Sequence, residues 1–140
     1  MSPEDSQRTW AEYYQRKKAE RIGEARQMAE LMRLAGVDDE TVLALDFVHF
    51  GTSRSNIEDL SKQLAENYQM QVIPSEDQKH WLAKGTTRPY GISLSAEQHI
   101  AWVEFMAEVA QSYSCVFSTW SLEAPSLQAR FHSEQIESDS

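Results

Sequence analysis

The chain has 140 residues, the length of one domain, and 41% hydrophobic and 25% charged residues are typical of a globular protein. Its formal net charge of −9 argues against direct, nonspecific binding to nucleic-acid backbones and favours a basic protein partner, although plain solubility explains the charge equally well. A single cysteine excludes an intramolecular disulfide and is typical of the reducing cytoplasm. We expect no membrane span and no signal peptide, because the sequence has neither a long apolar run nor a basic, then apolar N-terminus.

Residues 2–35 are predicted to form one long helix. Ser2 is suited to the N-cap and Pro3 to the first helical position, and Gly36 is predicted to end the helix. Apolar residues recur at helical spacing mainly in the second half, so we expect 24–35 to dock on the domain. The first two turns of this helix are expected either to fray or to bind a partner.

The stretch Val42–Phe50 is predicted to be a central strand, because apolar side chains alternate onto both of its faces. A strand that is apolar on both faces should be covered on both. We therefore expect two helices to cover one face and the N-terminal helix to cover the other. Asp46 is the exception, since an acid in such a stretch needs either a charged partner or an open side to face.

Capping boxes mark the start of two further helices. Ser55 with Glu58 opens a helix to about residue 67, and Ser95 with Gln98 opens the best-defined helix of the chain. That helix is predicted to carry Trp102, Phe105 and Val109 on the flank of its buried stripe and Glu97, Glu104 and Glu108 on its solvent side. The remaining strands are predicted at 69–74, 79–87 and 115–120.

The order of these elements is a helix followed by strand, helix, strand, strand, helix and strand. It predicts an α+β fold: a ferredoxin-like βαββαβ sandwich with a four-stranded antiparallel sheet and an added N-terminal helix. The expected organisation is the N-terminal helix at 1–36, the ferredoxin-like domain at 37–125 and a flexible polar tail at 126–140. Leu127 and Phe131 are the anchors expected in that tail.

The sequence contains no clear pattern of catalytic or metal-binding residues. The four histidines fit no metal-ligand spacing, and Cys115 begins an apolar strand, where it is suited to packing rather than to nucleophilic attack. Asp46 with His49 or His80 is the remaining candidate acid–base pair, which the spacing does not support. We therefore expect no catalysis, no metal and no cofactor.

Instead, a small set of residues is predicted to contact a protein partner. Trp120 lies at the end of the last predicted strand, where it is placed to anchor a partner, although core packing is the favoured explanation. The acidic residues of the set are suited to a basic partner. The set consists of Asp46, Glu97, Glu104, Glu108 and Trp120.

Residues 43–123 resemble the RraB family, whose members regulate ribonuclease E activity. The resemblance is carried by Asp46-Phe47-Val48-His49-Phe50, Tyr68-Gln69-Met70-Gln71-Val72, Trp81 and the stretch Tyr113–Trp120. It departs from the family at Ser118-Thr119-Trp120, where the family tends to show Asp-Gly-Trp. The resemblance implies a small acidic cytoplasmic protein without catalysis of its own. Such a protein binds the endoribonuclease at its less ordered scaffold part and lowers RNA cleavage.

Two other hypotheses belong to different functional classes. The first is a homodimeric ferredoxin-like protein with a ligand-binding or toxin-neutralising, immunity-type role, paired through its sheets or through the aromatic N-terminal helix. The second is a small hydrolase or transferase that uses Asp46 and a histidine.

Overall fold

A computed structural model describes residues 3–88 and 91–133, with side chains from Gln7 onward. The described residues form a mixed α+β fold with three helices and one antiparallel sheet of five strands, in the order β2-β3-β1-β4-β5. The elements are α1 (Pro3–Leu34), β1 (Ala44–Gly51), α2 (Arg54–Leu64), β2 (Gln69–Pro74), β3 (Trp81–Thr86), α3 (Ala96–Ser112), β4 (Val116–Ala124), a 3-10 turn (Pro125–Leu127) and β5 (Ala129–His132).

Strand β1 lies in the middle of the sheet, as predicted, and pairs with β3 on one side and β4 on the other. Leu45, Phe47 and His49 on one of its faces are completely buried under the helices. On the opposite face, Asp46 and Val48 are only half-buried. The prediction that both faces are covered is therefore wrong, since no helix of the described residues lies across the second face.

Helix α1 lies beside α3, on the same side of the sheet as the other helices. Its second half docks as predicted, with Ala25, Met28 and Met32 buried in the core. The physical reason is that these apolar side chains meet an apolar surface only there. Across β1, the opposite face presents Thr86 and Ser121 on either side of Asp46, so an apolar helix stripe would have had to bury polar groups.

A buried ion pair ties α1 to a β-bulge in strand β4. The register between β1 and β4 shifts at His49, where Ser118 is the extra residue. At this bulge, Arg21 Nε donates to the Phe117 carbonyl oxygen over 3.1 Å. The Arg21 guanidinium also pairs with Glu24 one turn further along the helix, and each of the two side chains is only 8% exposed. Such a pair needs additional hydrogen bonds to offset its desolvation, and the bulge supplies one.

The sheet contains a fifth strand where the sequence predicted a flexible tail from residue 126. Strand β5 pairs with β4, with Glu123 opposite Arg130 and Ser121 opposite His132. Phe131 is buried, as expected of an anchor, whereas Leu127 is exposed and that part of the prediction is wrong. Only four residues long, β5 is too short to show a clear alternation. Residues 134–140 of the predicted tail lie outside the described residues.

The helix caps were predicted correctly at α3 but not at α2. Ser95 and Gln98 form the expected capping box, with the Gln98 backbone N–H donating to Ser95 Oγ over 3.1 Å. Helix α2 is capped by Ser53 rather than Ser55, because Ser53 Oγ accepts the hydrogen bond from the Asn56 backbone N–H.

The predicted end of α1 is confirmed at Gly36, which has the positive φ of 96° that favours glycine. The predicted N-cap, Ser2, lies outside the described residues. Glu58, expected to complete the capping box of α2, instead accepts a hydrogen bond of 2.7 Å from Arg54 Nε.

We expect Arg21→Ala to lower the free energy of unfolding by about 3 kcal/mol, because it removes the guanidinium that pairs with the buried Glu24 carboxylate. The matched control is Arg33→Ala, which removes an ion pair of the same i,i+3 spacing to Glu30 on the exposed side of the same helix. This change should have no measurable effect. Urea unfolding monitored by tryptophan fluorescence gives both values, and equal losses would show that Arg21 does not hold α1 in place.

Candidate functional site

The uncovered side of the sheet, which we call the open sheet face, carries a polar row across all five strands. Backbone pairing places the members of this row side by side, with Asp46 opposite Thr86 on one side and Ser121 on the other. Because side chains alternate along a strand, members of one row point to the same face. The polar row consists of Gln69, Thr86, Asp46, Ser121 and His132.

A depression of about 420 Å³ lies over the polar row and the row next to it. Side-chain length explains why the surface is concave there. Short side chains, including Val48, Thr119 and Ser121, line the middle of the depression, whereas Lys84 and Arg130 line its two sides. The open sheet face therefore has the size and polarity of a small-ligand site.

Asp46 has both features that its sequence context demanded, a charged partner and an open side. Its carboxylate lies 3.2 Å from Arg88 Nη2, and the same nitrogen lies 3.3 Å from Glu123 Oε1. The hydrogen bond that Arg88 donates to Asp46, and then the one it donates to Glu123, raise the pKa of Arg88, so the guanidinium stays charged. Asp46 is thus held in place on the open sheet face by Arg88.

The candidate acid–base pairs of Asp46 are not assembled. His49 points to the opposite face of β1, where it is fully buried. His80 lies at the far end of the strand, with its ring 6.0 Å from that of Phe50 and its Nδ1 3.8 Å from Asp77. His49 cannot exchange a proton directly with Asp46, because the sheet lies between them. His80 cannot do so either, because the four residues of extended strand from Asp46 to Phe50 span roughly 13 Å.

Trp120 is not available to a partner, because its side chain is only 1% exposed. Its indole N–H donates to His99 Nε2 over 3.0 Å, and its ring stacks on Phe117. Strand β4 continues to Ala124, four residues beyond the predicted end, so Trp120 lies in mid-strand and packs under the helices. The core explanation is correct, and the predicted anchoring role is wrong.

Glu97, Glu104 and Glu108 lie on the exposed side of α3, as predicted. Glu108 forms a long ion pair with Lys18 of α1, in which Nζ and Oε1 are 3.5 Å apart. Phe105 was expected on the flank of the buried stripe, but it is 48% exposed and shares this side of the helix with the glutamates. We define the outer face of α3 as Glu97, Ala101, Glu104, Phe105 and Glu108, which fall within a third of the helix circumference.

The histidines under the sheet are neutral packing groups. Trp120 can only donate, so His99 accepts at Nε2 and carries its proton on Nδ1. His49 has the opposite arrangement, with Nε2 donating to the Met106 carbonyl oxygen over 3.4 Å. Burial lowers the pKa of both His49 and His99 to about 4.

The single thiol of the chain also serves packing. Burial raises the pKa of Cys115 to about 11, and its thiol donates to the Tyr113 carbonyl oxygen over 3.3 Å. At neutral pH it is therefore a thiol rather than the reactive thiolate. Within residues 3–88 and 91–133, no three His, Cys, Asp or Glu residues are grouped so that they could hold a metal ion.

No family model matches this chain, and no curated protein matches it. Among the helices of the described residues, none combines the length and the apolar character needed to cross a bilayer. The open sheet face and the outer face of α3 are two candidate surfaces for function.

We expect the protein to lose stability as the pH falls from about 6.5 towards 4. In this range the unfolded chain binds protons at His49 and His99, whose pKa is near 6.5 when exposed, but the folded chain does not. Each histidine then costs up to about 3 kcal/mol of unfolding free energy. The contribution is fully present above pH 6.5, and urea unfolding at several pH values measures its loss.

The variant His49→Leu should reduce the slope of the unfolding free energy against pH by an amount that corresponds to about one bound proton, whatever its effect on stability at pH 7. The control variant His80→Gln removes a histidine outside the core and should leave the dependence unchanged. A slope that is identical in all three proteins would contradict neutral, buried histidines.

Proposed function

We propose that this protein is a non-catalytic cytoplasmic regulator that binds ribonuclease E and lowers its cleavage of RNA, as the resemblance to the RraB family implies. The observation that carries the proposal is the outer face of α3. There an exposed aromatic ring, Phe105, lies among the carboxylates Glu97, Glu104 and Glu108.

This arrangement has the chemistry of a docking surface for a basic segment. Exposed aromatic side chains often contribute much of the binding energy of an interface, and surrounding charges select and orient the partner. The carboxylates of Glu97, Glu104 and Glu108 attract lysine and arginine side chains of a partner electrostatically, before the two surfaces touch. A basic, poorly ordered segment can then cover Phe105 with the apolar part of its own side chains.

The intramolecular partner of this surface offers little competition. Lys18 reaches Glu108 at 3.5 Å, and the carboxylate side chain remains 55% exposed. An exposed ion pair of this kind contributes little to stability, because solvent screens it. A basic partner can therefore replace Lys18 at small cost.

The topology supports the same proposal. We propose that the domain is a ferredoxin-like βαββαβ sandwich, which is supported by the order β2-β3-β1-β4, with α2 following β1 and α3 following β3. Strand β5 is then an addition at the edge of β4. This is the fold that the RraB resemblance implies for residues 43–123.

We expect the triple variant Glu97→Gln, Glu104→Gln and Glu108→Gln to weaken binding to ribonuclease E by about tenfold at about 0.15 M salt. Binding is measured by isothermal titration calorimetry with the enzyme that retains its basic scaffold part. The inhibition of RNA cleavage, measured as the initial rate on a fluorescent RNA, should weaken in parallel.

The matched control neutralises three exposed acids elsewhere, Asp39→Asn, Glu40→Gln and Glu66→Gln, and has the same net charge. It should bind within about twofold of the unchanged protein, because local charges act over a Debye length of roughly 8 Å. Equal weakening in the two variants would assign the effect to net charge. An unchanged protein that neither binds the enzyme nor slows cleavage would refute the proposed function.

We expect Phe105→Ser to weaken the same interaction by at least about fivefold while leaving the urea midpoint nearly unchanged, because the ring is half-exposed in the free protein. The control is Leu34→Ser, which removes another exposed apolar side chain at the far end of α1. If Leu34→Ser weakens binding and Phe105→Ser does not, the docking surface lies at the end of α1 rather than on α3.

A further inference from the structure

Two cations on opposite sides of the open sheet face have no ion pair among the described residues. Lys84 lies on β3 and Arg130 on β5, and both side chains are exposed. Arg88, by contrast, is held by two carboxylates. Strands β1 and β4 separate β3 from β5, and Lys84 lies in the row of Val48 whereas Arg130 lies in the row of Ala44, four residues away along β1. The backbones at Lys84 and Arg130 are therefore roughly 19 Å apart on a diagonal of the sheet.

The charge of the open sheet face is opposite to that of the chain. It carries three cations, Lys84, Arg88 and Arg130, and two carboxylates, Asp46 and Glu123, whereas the whole chain has a net charge of −9. Because Arg88 is bound between the carboxylates, Lys84 and Arg130 are left to attract an anion. Their long side chains can lean inwards over the depression from its two sides.

The middle of the depression suits the neutral part of such an anion. The hydroxyl groups of Thr119 and Ser121 line it and make no hydrogen bond within the described residues. Val48 supplies an apolar floor between them and β3. A ligand that spans the depression therefore meets hydrogen-bonding groups at its centre and positive charge at its ends.

We propose that the open sheet face is a binding site for a small organic anion about 8–10 Å long, with carboxylate or phosphate groups at its ends and hydroxyl groups between them. Lys84 and Arg130 bind the two ends, and Thr119 and Ser121 bind the hydroxyl groups. The inference goes beyond the proposed regulatory function and uses none of the residues of the outer face of α3.

The site is tested with the full chain, labelled with nitrogen-15 and titrated with two probes of the proposed chemistry. Fructose 1,6-bisphosphate carries phosphates at its ends and glucarate carries carboxylates, so the two titrations separate the two kinds of anion. We expect at least one probe to bind with millimolar affinity or better and to shift the backbone amides of Lys84, Thr119 and Ser121. Sorbitol, which has the hydroxyl groups without the charges, should not shift them.

The decisive variant is Lys84→Gln with Arg130→Gln, which should weaken binding of that probe by at least about tenfold. The control, Lys62→Gln with Arg26→Gln, removes the same charges from exposed positions on α2 and α1 and should change binding less than twofold.

Three outcomes would overturn the assignment. They are no shift with either probe, equal weakening in the two double variants, and shifts confined to residues outside the depression. Binding of an acidic peptide at the same amides, without a response to either small anion, would also refute a small-ligand site. The unchanged chain and the two double variants are fully folded if their circular dichroism spectra coincide, so a loss of binding is separated from a loss of structure.

Discussion

The buried contact between Arg21 and the bulge of β4 holds α1 beside α3 on the helix side of the sheet. A guanidinium that is nearly removed from water needs acceptors. Glu24 of the same helix supplies one, and the Phe117 carbonyl oxygen supplies another because α1 lies next to α3. The apolar side chains of Ala25 and Met28 then complete the core on that side. The other side of the sheet is left to the polar row.

The two candidate surfaces follow from this one-sided arrangement, and their charges differ. The outer face of α3 is acidic around one exposed phenyl ring, Phe105. The open sheet face carries an excess of positive charge around a depression of about 420 Å³. The protein thus separates opposite charges on opposite sides of one sheet, so the two proposed ligands, a basic protein segment and a small anion, have separate surfaces.

The sequence predicted those elements whose signals are local. The apolar side chains on both faces of Val42–Phe50 identified the central strand, and the spacing of Ser95 and Gln98 identified the start of α3. The position of α1 could not be predicted, because its apolar stripe would fit any apolar surface. Which face of the sheet is apolar depends on strand pairing, and the contact that holds α1 there joins Arg21 to a carbonyl group almost a hundred residues away. Strand β5 was missed because four residues are too few to show a period.

The site was predictable only in part, for similar reasons. Asp46 and the three glutamates were identified from charge in an apolar context and from helical spacing. The partners of Asp46, however, come from Arg88 and Glu123, which are near it only in the folded sheet. Phe105 was missed because its position at the border of the apolar stripe does not fix how the ring is covered. Trp120 was misplaced because β4 continues past it.

The short strand β5 also has a consequence for how the protein behaves in concentrated solution. Without it, β4 would be the outermost strand on its side and would present a row of unsatisfied backbone groups from Ser121 to Ala124. Such a row is a template on which another chain can add a strand and start an aggregate. Strand β5, anchored by the buried Phe131, pairs with these backbone groups and so protects them. The charged side chain of Arg130 makes the new outer strand a poorer site for the addition of another chain.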